Sequence, residues 1–336
     1  MYQLEEARIV EEIRKRGARR IMLQMPEGLK PVGFQLAKLI EKEAGVEVFV
    51  SGDPCYGACD LALYPKKHVE ADLLIHLGHA EIPGEFPDEN VFFVEARSNA
   101  SIDVPMMQAV NMLESEHSIG LASNIQHIHQ LPRAKEILEE HEKEVLIGRP
   151  SGWLKYPGQV LGCDYGSVRA IGEKADAIVV LSGGDFHALG IPLATGKRTI
   201  VVDPFQQIAK DMTETCKTLL RKRWANIEKF KVAKRIGIIV GLKSSQMNIA
   251  LARRLKSLLE QNGQLTILIS ASEVIPETLE SFTDLEAYVE ISCPRISTDD
   301  QERYRKPVLN PEEVMIALGK KSWDQYTKGM TLEEWH

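Results

Sequence analysis

Short apolar runs led by basic or polar residues open three similar stretches of the chain: RRIMLQMPEGL at 19–29, HSIGLASNIQH at 117–127 and KRIGIIVGLKSSQ at 234–246. Each is followed by apolar positions at helical spacing, in PVGFQLAKLIEKEAG, QLPRAKEILEEHEKE and MNIALARRLKSLLEQNG. Each helical pattern then gives way to a second run rich in β-branched residues: VEVFVSG at 46–52, EVLIGRP at 144–150 and QLTILISA at 264–271. Two further apolar runs complete each unit: ADLLIHLGH and NVFFVEAR, ADAIVVLSGGD and KRTIVVDPF, DLEAYVEISCPR and KPVLNP. Short strands rich in Val, Ile and Leu, alternating with helices, predict parallel sheets buried on both faces. The expected fold is α/β: three small, pseudo-symmetric parallel-sheet domains with helices on both faces, spanning 1–112, 113–230 and 231–336. Ligands of open parallel sheets bind at the carboxyl ends of strands, so three such ends can face one central cavity.

Composition narrows the function classes. The balance of 41 basic against 48 acidic residues gives a net charge of −7, which argues for a soluble protein and against a broad nucleic-acid-binding face. The basic run Lys217, Arg221, Lys222, Arg223, Lys229, Lys231, Lys234, Arg235 is interleaved with helix formers and reads as a solvated helix face. The opening MYQLEEARIVEEIRKRG alternates apolar residues with charges, unlike a signal peptide. No continuous apolar stretch reaches the roughly 18 residues a membrane span needs. A cytoplasmic protein is expected. Its five scattered cysteines then read as thiols for metal or catalysis rather than as disulfides. The tail from Lys320, with Trp323, Tyr326 and Trp335, reads as a terminal segment docked on the body.

Three of the cysteines fall at strand ends, one in each unit. Cys59 lies in GDPCYGACD and Cys163 in VLGCDYG, each after a second strand, while Cys293 lies in EISCPR after a third strand. Any one alone reads as an inert buried thiol. Together they point to one shared site, and their separations of more than a hundred residues exclude a zinc ribbon or a ferredoxin-type run. Three thiolates on a four-iron cluster leave one iron open to a substrate. Cys216 sits at helical spacing with Met212, Leu219 and Leu220 and reads as core, and Cys55 reads as a pocket residue. Other strand ends add Gln24, His76 and His79; Ser182, Gly183, Gly184, Asp185, His187 and Asp203; and Lys243, Gln246 and Arg295. Arg295 could hold a carboxylate in a bidentate fork, and the glycine pair lets backbone approach a ligand.

At LQMPEGL, YGACD, IHLGH, LGC, SGGDFH, VDPF and SCPR the chain resembles the archaeal 2-(3-amino-3-carboxypropyl)histidine synthases, over essentially its whole length. The resemblance implies an unconventional radical S-adenosylmethionine enzyme with a [4Fe-4S] cluster on Cys59, Cys163 and Cys293. It implies transfer of the 3-amino-3-carboxypropyl group to carbon 2 of a histidine in translation elongation factor 2, the first step of diphthamide synthesis. It further implies a homodimer, an external electron donor, and S-adenosylmethionine contacts from Ser182, Gly183, Gly184, Gln246 and Arg295. The same resemblance implies chemistry driven by the cluster, without a separate catalytic side chain. One departure is GLKSSQ, in which a serine precedes Gln246 where the family pattern has glycine. Two other readings use the same cysteines: a quinolinate synthase-like [4Fe-4S] dehydratase, and a non-catalytic subunit that relays electrons or binds a partner.

Overall fold

The computed structural model describes residues 2–85 and 90–327. Sheet one holds β1 (Arg20–Gln24), β2 (Glu47–Val50), β3 (Leu73–Leu77) and β4 (Val91–Val94) in the order β2-β1-β3-β4. Sheet two holds β5 (Ser118–Ser123), β6 (Glu144–Leu146), β7 (Ala177–Leu181), β8 (Arg198–Asp203) and β9 (Ile208–Asp211) in the order β6-β5-β7-β8-β9. Sheet three holds β10 (Arg235–Gly241), β11 (Leu265–Ala271), β12 (Ala287–Glu290) and β13 (Val308–Leu309) in the order β11-β10-β12-β13. Every sheet thus places its first strand between its second and third. All pairings are parallel except β8 with β9.

The antiparallel β9 was not foreseen. Asp203 turns the chain back at once, its carboxylate accepting from the amides of Phe205 and Gln206 at 2.8 and 3.0 Å. The prediction of sheets buried on both faces holds for the central strands and fails at the edges. Every residue of β3, β7 and β12 is buried, whereas on β11 Leu265, Ile267 and Leu268 are exposed. An edge strand has a neighbour on one side only, so its apolar residues need not lie under a helix.

Sheets two and three share one core, in which Val180 and Val201 join Ile238, Val289 and Leu309. The helix Thr213–Lys231 fills the space between them with Cys216, Leu219, Ile227 and Phe230. Arg223 corrects the solvated-face reading of that helix, because it is 1% exposed and ion-paired with Glu313. The docked-tail reading holds for Trp323 and Tyr326. Trp323 packs edge-on against Trp224 at 5.0 Å, and the Tyr326 hydroxyl donates to Glu313 at 2.9 Å. Trp335 lies outside the described residues. Among the described residues no helix is long and apolar enough to cross a membrane.

Candidate metal centre

Three loops, one from each sheet, meet at the carboxyl ends of the strands. The Cys59 loop follows β2 and is fastened to the loop after β10. Ser245 N donates to the Cys59 carbonyl at 3.1 Å, the Ser244 hydroxyl donates to it at 3.0 Å, and Leu61 N donates to Ser244 Oγ at 3.0 Å. Lys243 joins both sides by pairing with Asp60 at 2.9 Å and Glu273 at 2.7 Å. Cys163 follows β6, and Cys293 caps the short helix Pro294–Thr298 after β12.

The thiols feel one another. Burial pushes the Cys163 thiol well above its ordinary value, and negative charge on Cys59 or Cys293 pushes the same way. Burial pushes Cys293 up to about 12, with charge on Cys59 again adding to it. Three such sulfurs cannot ionise together unless a cation joins them, since a coordinating metal deprotonates a thiol outright. Three thiolates on a single ion would lie about 3.8 Å apart, given metal–sulfur bonds of about 2.3 Å. These three do not close up that far. Among the described residues, the Cys, His and carboxylate group with ligand atoms within 4.8 Å of one another is Cys55, His76 and His79. A wider triangle of thiols suits a multi-iron cluster. Its surroundings also supply donors that a cluster's sulfides accept from, since the Gln246 amide nitrogen lies 3.4 Å from Cys59 Sγ.

Around this triangle the other expected residues take distinct places. Arg295 donates through Nη2 to the Phe186 carbonyl at 2.6 Å and pairs with Asp299, while its buried Nε has no protein partner. The Phe186 ring lies against the guanidinium, 4.1 Å from its carbon, and covers Gly162 beside Cys163. A side chain at position 162 would meet that ring at 2.6 Å, which is why the backbone there carries none. Ser182 is buried, with its hydroxyl 3.1 Å from His187 Nδ1. Gly183 lies under the Phe205 ring, and the Gly184 amide donates to Asp203 at 2.7 Å. Gln246 is thus beside Cys59, Arg295 beside Cys163 and Cys293, and the Ser182–Gly184 turn on the sheet-two rim.

Glu290 was missed. It ends β12, is wholly buried, and accepts from the amides of Ser292 and Cys293, the latter at 2.5 Å. Burial raises its carboxyl to about 8. The signal was present: AYVE is an apolar central strand ending in an acid, which in a buried sheet needs a partner. Ser292 was missed as well, and its buried hydroxyl lies beside the Glu290 carboxylate, where it favours the charged form.

Buried histidines form a second group. The Gln24 amide is fixed, since its nitrogen donates to the Asp60 carbonyl at 2.7 Å and its oxygen accepts from Ala62 N at 3.0 Å. That same oxygen lies 2.9 Å from His76 Nδ1, which must therefore carry the proton. His76 Nε2 is then a bare acceptor, 2.9 Å from His79 Nδ1. Burial holds both rings neutral, His79 down to about 4.

Cys216 stands apart, buried in the core shared by sheets two and three. Cys216→Ala should leave bound iron unchanged and cost about 1 kcal/mol, the loss of one buried heavy atom. Iron analysis and a denaturant melt on the same sample check both.

Residues 25–327 match the family of diphthamide synthesis proteins. The chain belongs to that family. It is 38% identical to the 2-(3-amino-3-carboxypropyl)histidine synthase of Pyrococcus horikoshii, over 95% of this chain and 91% of that one. It is 30% identical to subunit 1 of the Gallus gallus synthase, over 96% of this chain and 78% of that one. Its fold matches the crystal structure of Pyrococcus horikoshii Dph2 with a 4Fe-4S cluster, at a TM-score of 0.87 and 37% identity, covering 96% of this chain and 93% of that one. The two proteins thus share the three-sheet α/β architecture described above.

Proposed function

We propose that the chain is a 2-(3-amino-3-carboxypropyl)histidine synthase that takes the 3-amino-3-carboxypropyl group from S-adenosylmethionine and joins it to carbon 2 of a histidine in translation elongation factor 2. The observation that carries this reading is the meeting of Cys59, Cys163 and Cys293, one from each sheet, in a chain of this family. Those three residues would hold a [4Fe-4S] cluster. Bound there, the cluster supplies one electron to a sulfonium and keeps one iron free of protein ligands.

The chain's own residues bind and orient. The Arg295 Nε, buried and without a protein partner, is a donor that would serve the substrate carboxylate, and its guanidinium acts on the Cys163 thiol. Phe186 stacks on that guanidinium and shields it from water, which strengthens the charge contact. Gln246, beside Cys59, and Ser182, Gly183 and Gly184, directly after β7, would supply the remaining contacts to the substrate. Which carbon–sulfur bond breaks depends on which carbon these groups turn toward the open iron, so their task is orientation. The same reading makes an electron donor and a second copy of the chain its partners in the cytoplasm.

Reduced, reconstituted protein mixed with S-adenosylmethionine is expected to release methylthioadenosine. With elongation factor 2 present, one histidine of that factor should gain the mass of the transferred group. Release of 5′-deoxyadenosine as the main product would sink the bond assignment; an unmodified factor after many turnovers would sink the partner.

A further inference from the structure

Cys55, His76 and His79 play no part in the reading above, yet they form a compact set of metal-ligating atoms, all within 4.8 Å of one another. Cys55 comes from the loop after β2, His76 from within β3 and His79 from just beyond its end, so two elements of sheet one bring them together. Cys55 and His76 are buried. We propose that these three residues form a mononuclear site for a borderline divalent ion of the zinc class, separate from the three-cysteine centre.

The supporting residues are already those such a site needs. Ligating histidines usually donate their second ring nitrogen to a fixed acceptor. His76 does so, its Nδ1–H donating to Gln24, so that Nε2 presents a lone pair to the group. Gln24 is in turn fixed by the backbone of Asp60 and Ala62, and cannot flip without losing both bonds. Burial pushes the Cys55 thiol up to about 12, the backbone N–H of Gly57 on its sulfur pulls the other way, and a bound cation would supply the charge that the buried thiolate needs. The His76–His79 nitrogens stand 2.9 Å apart, whereas two ligands on one tetrahedral zinc, at about 2.0–2.1 Å each, stand about 3.3 Å apart. An opening of a few tenths of an ångström, with the His79 proton moving to its other nitrogen, converts the hydrogen-bonded pair into ligands. The Cys55 thiol gives its proton to solvent on binding. Thiolate plus two imidazoles is a donor set for zinc-class ions rather than for magnesium or calcium. Three protein ligands also leave a fourth position open.

The competing account is that His76 and His79 are hydrogen-bonded core residues and nothing more. Two measurements separate the accounts. Holoenzyme equilibrated with one equivalent of zinc and desalted is expected to retain about one zinc per chain beside its iron. Cys55→Ser and His79→Ala should lose that zinc while keeping the iron. Second, a variant lacking Cys59, Cys163 and Cys293 has no cluster thiols to compete. Titrated with cobalt(II), it should give tetrahedral bands with a sulfur charge-transfer transition, and adding Cys55→Ser should remove that transition. Gln24→Ala in this background should weaken cobalt binding by about 10–100-fold. Zinc retention equal in wild type and Cys55→Ser, or a cobalt spectrum unchanged by Cys55→Ser, overturns the site. Should the triple variant fail to fold, the zinc measurement on holoenzyme decides alone. Iron is counted in the same sample, so loss of the cluster and absence of this site are told apart.

Discussion

Cys163→Ala is expected to bring bound iron from about four per chain to near zero and to abolish methylthioadenosine release. Cys163 is the sharpest choice among the three, because its thiol is enclosed and interacts with both of the others. Removing it leaves Cys59 and Cys293, and two thiolates cannot retain a four-iron core against solvent and chelators. No spare thiol stands ready to replace it. Cys216 is locked in the core, and Cys55 lies on the sheet-one side with the histidines. Cys59→Ala and Cys293→Ala should behave alike, and Cys216→Ala should not. Iron and sulfide analysis, together with the paramagnetic signal of the reduced protein, reads the outcome. Wild-type iron in any one of the three variants removes that sulfur from the ligand set. Wild-type iron in all three removes the shared centre.

Much of this arrangement was legible in the sequence because parallel strands write a plain pattern. Every residue of β3 and β7 is apolar or backed by a neighbour that satisfies it, so LLIHL and AIVVL could be placed before any contact was known. The cysteines followed from the strand ends. What stayed hidden depends on distance rather than on pattern. The antiparallel β9 rests on one carboxylate, Asp203, capping the turn that follows it. Glu290 reads locally as an ordinary strand-terminal acid, and only the fold places two amides of the Cys293 loop on it. Arg223 misled for the same reason. Its neighbours Arg221, Lys222 and Trp224 are exposed or half-exposed, and helical spacing alone does not say that position 223 turns inward toward an acid ninety residues on.

Arg223→Ala is expected to destabilise the protein by about 3–5 kcal/mol, the usual result of breaking a buried ion pair by removing one partner. The Arg223 Nε donates to Glu313 Oε1 at 2.7 Å and its Nη2 reaches Oε2, with both side chains essentially inaccessible. Without the guanidinium, Glu313 remains buried in a place it cannot leave. Its carboxylate completes the capping box of the helix Pro311–Ala317 with Asn310 and also accepts from the Tyr326 hydroxyl. Neutralising the acid as well, in Arg223→Met with Glu313→Gln, should recover part of the loss, because the uncompensated charge is then gone while the cap survives in weaker form. A denaturant-unfolding cycle across the two singles and the double measures that recovery. The pair has a second consequence. Arg223 also donates to the carbonyls of Ser297 and Val308, so a helix of sheet two holds both the segment after Cys293 and the strand beside it. Loosening that hold frees the arm that carries the third thiol. Arg223→Ala should therefore lose iron faster than wild type to a chelator at temperatures where both remain folded, although no atom of Arg223 belongs to the cluster site. Equal rates of iron loss would confine Arg223 to stability and leave the Cys293 segment held by Glu290 and its own helix contacts.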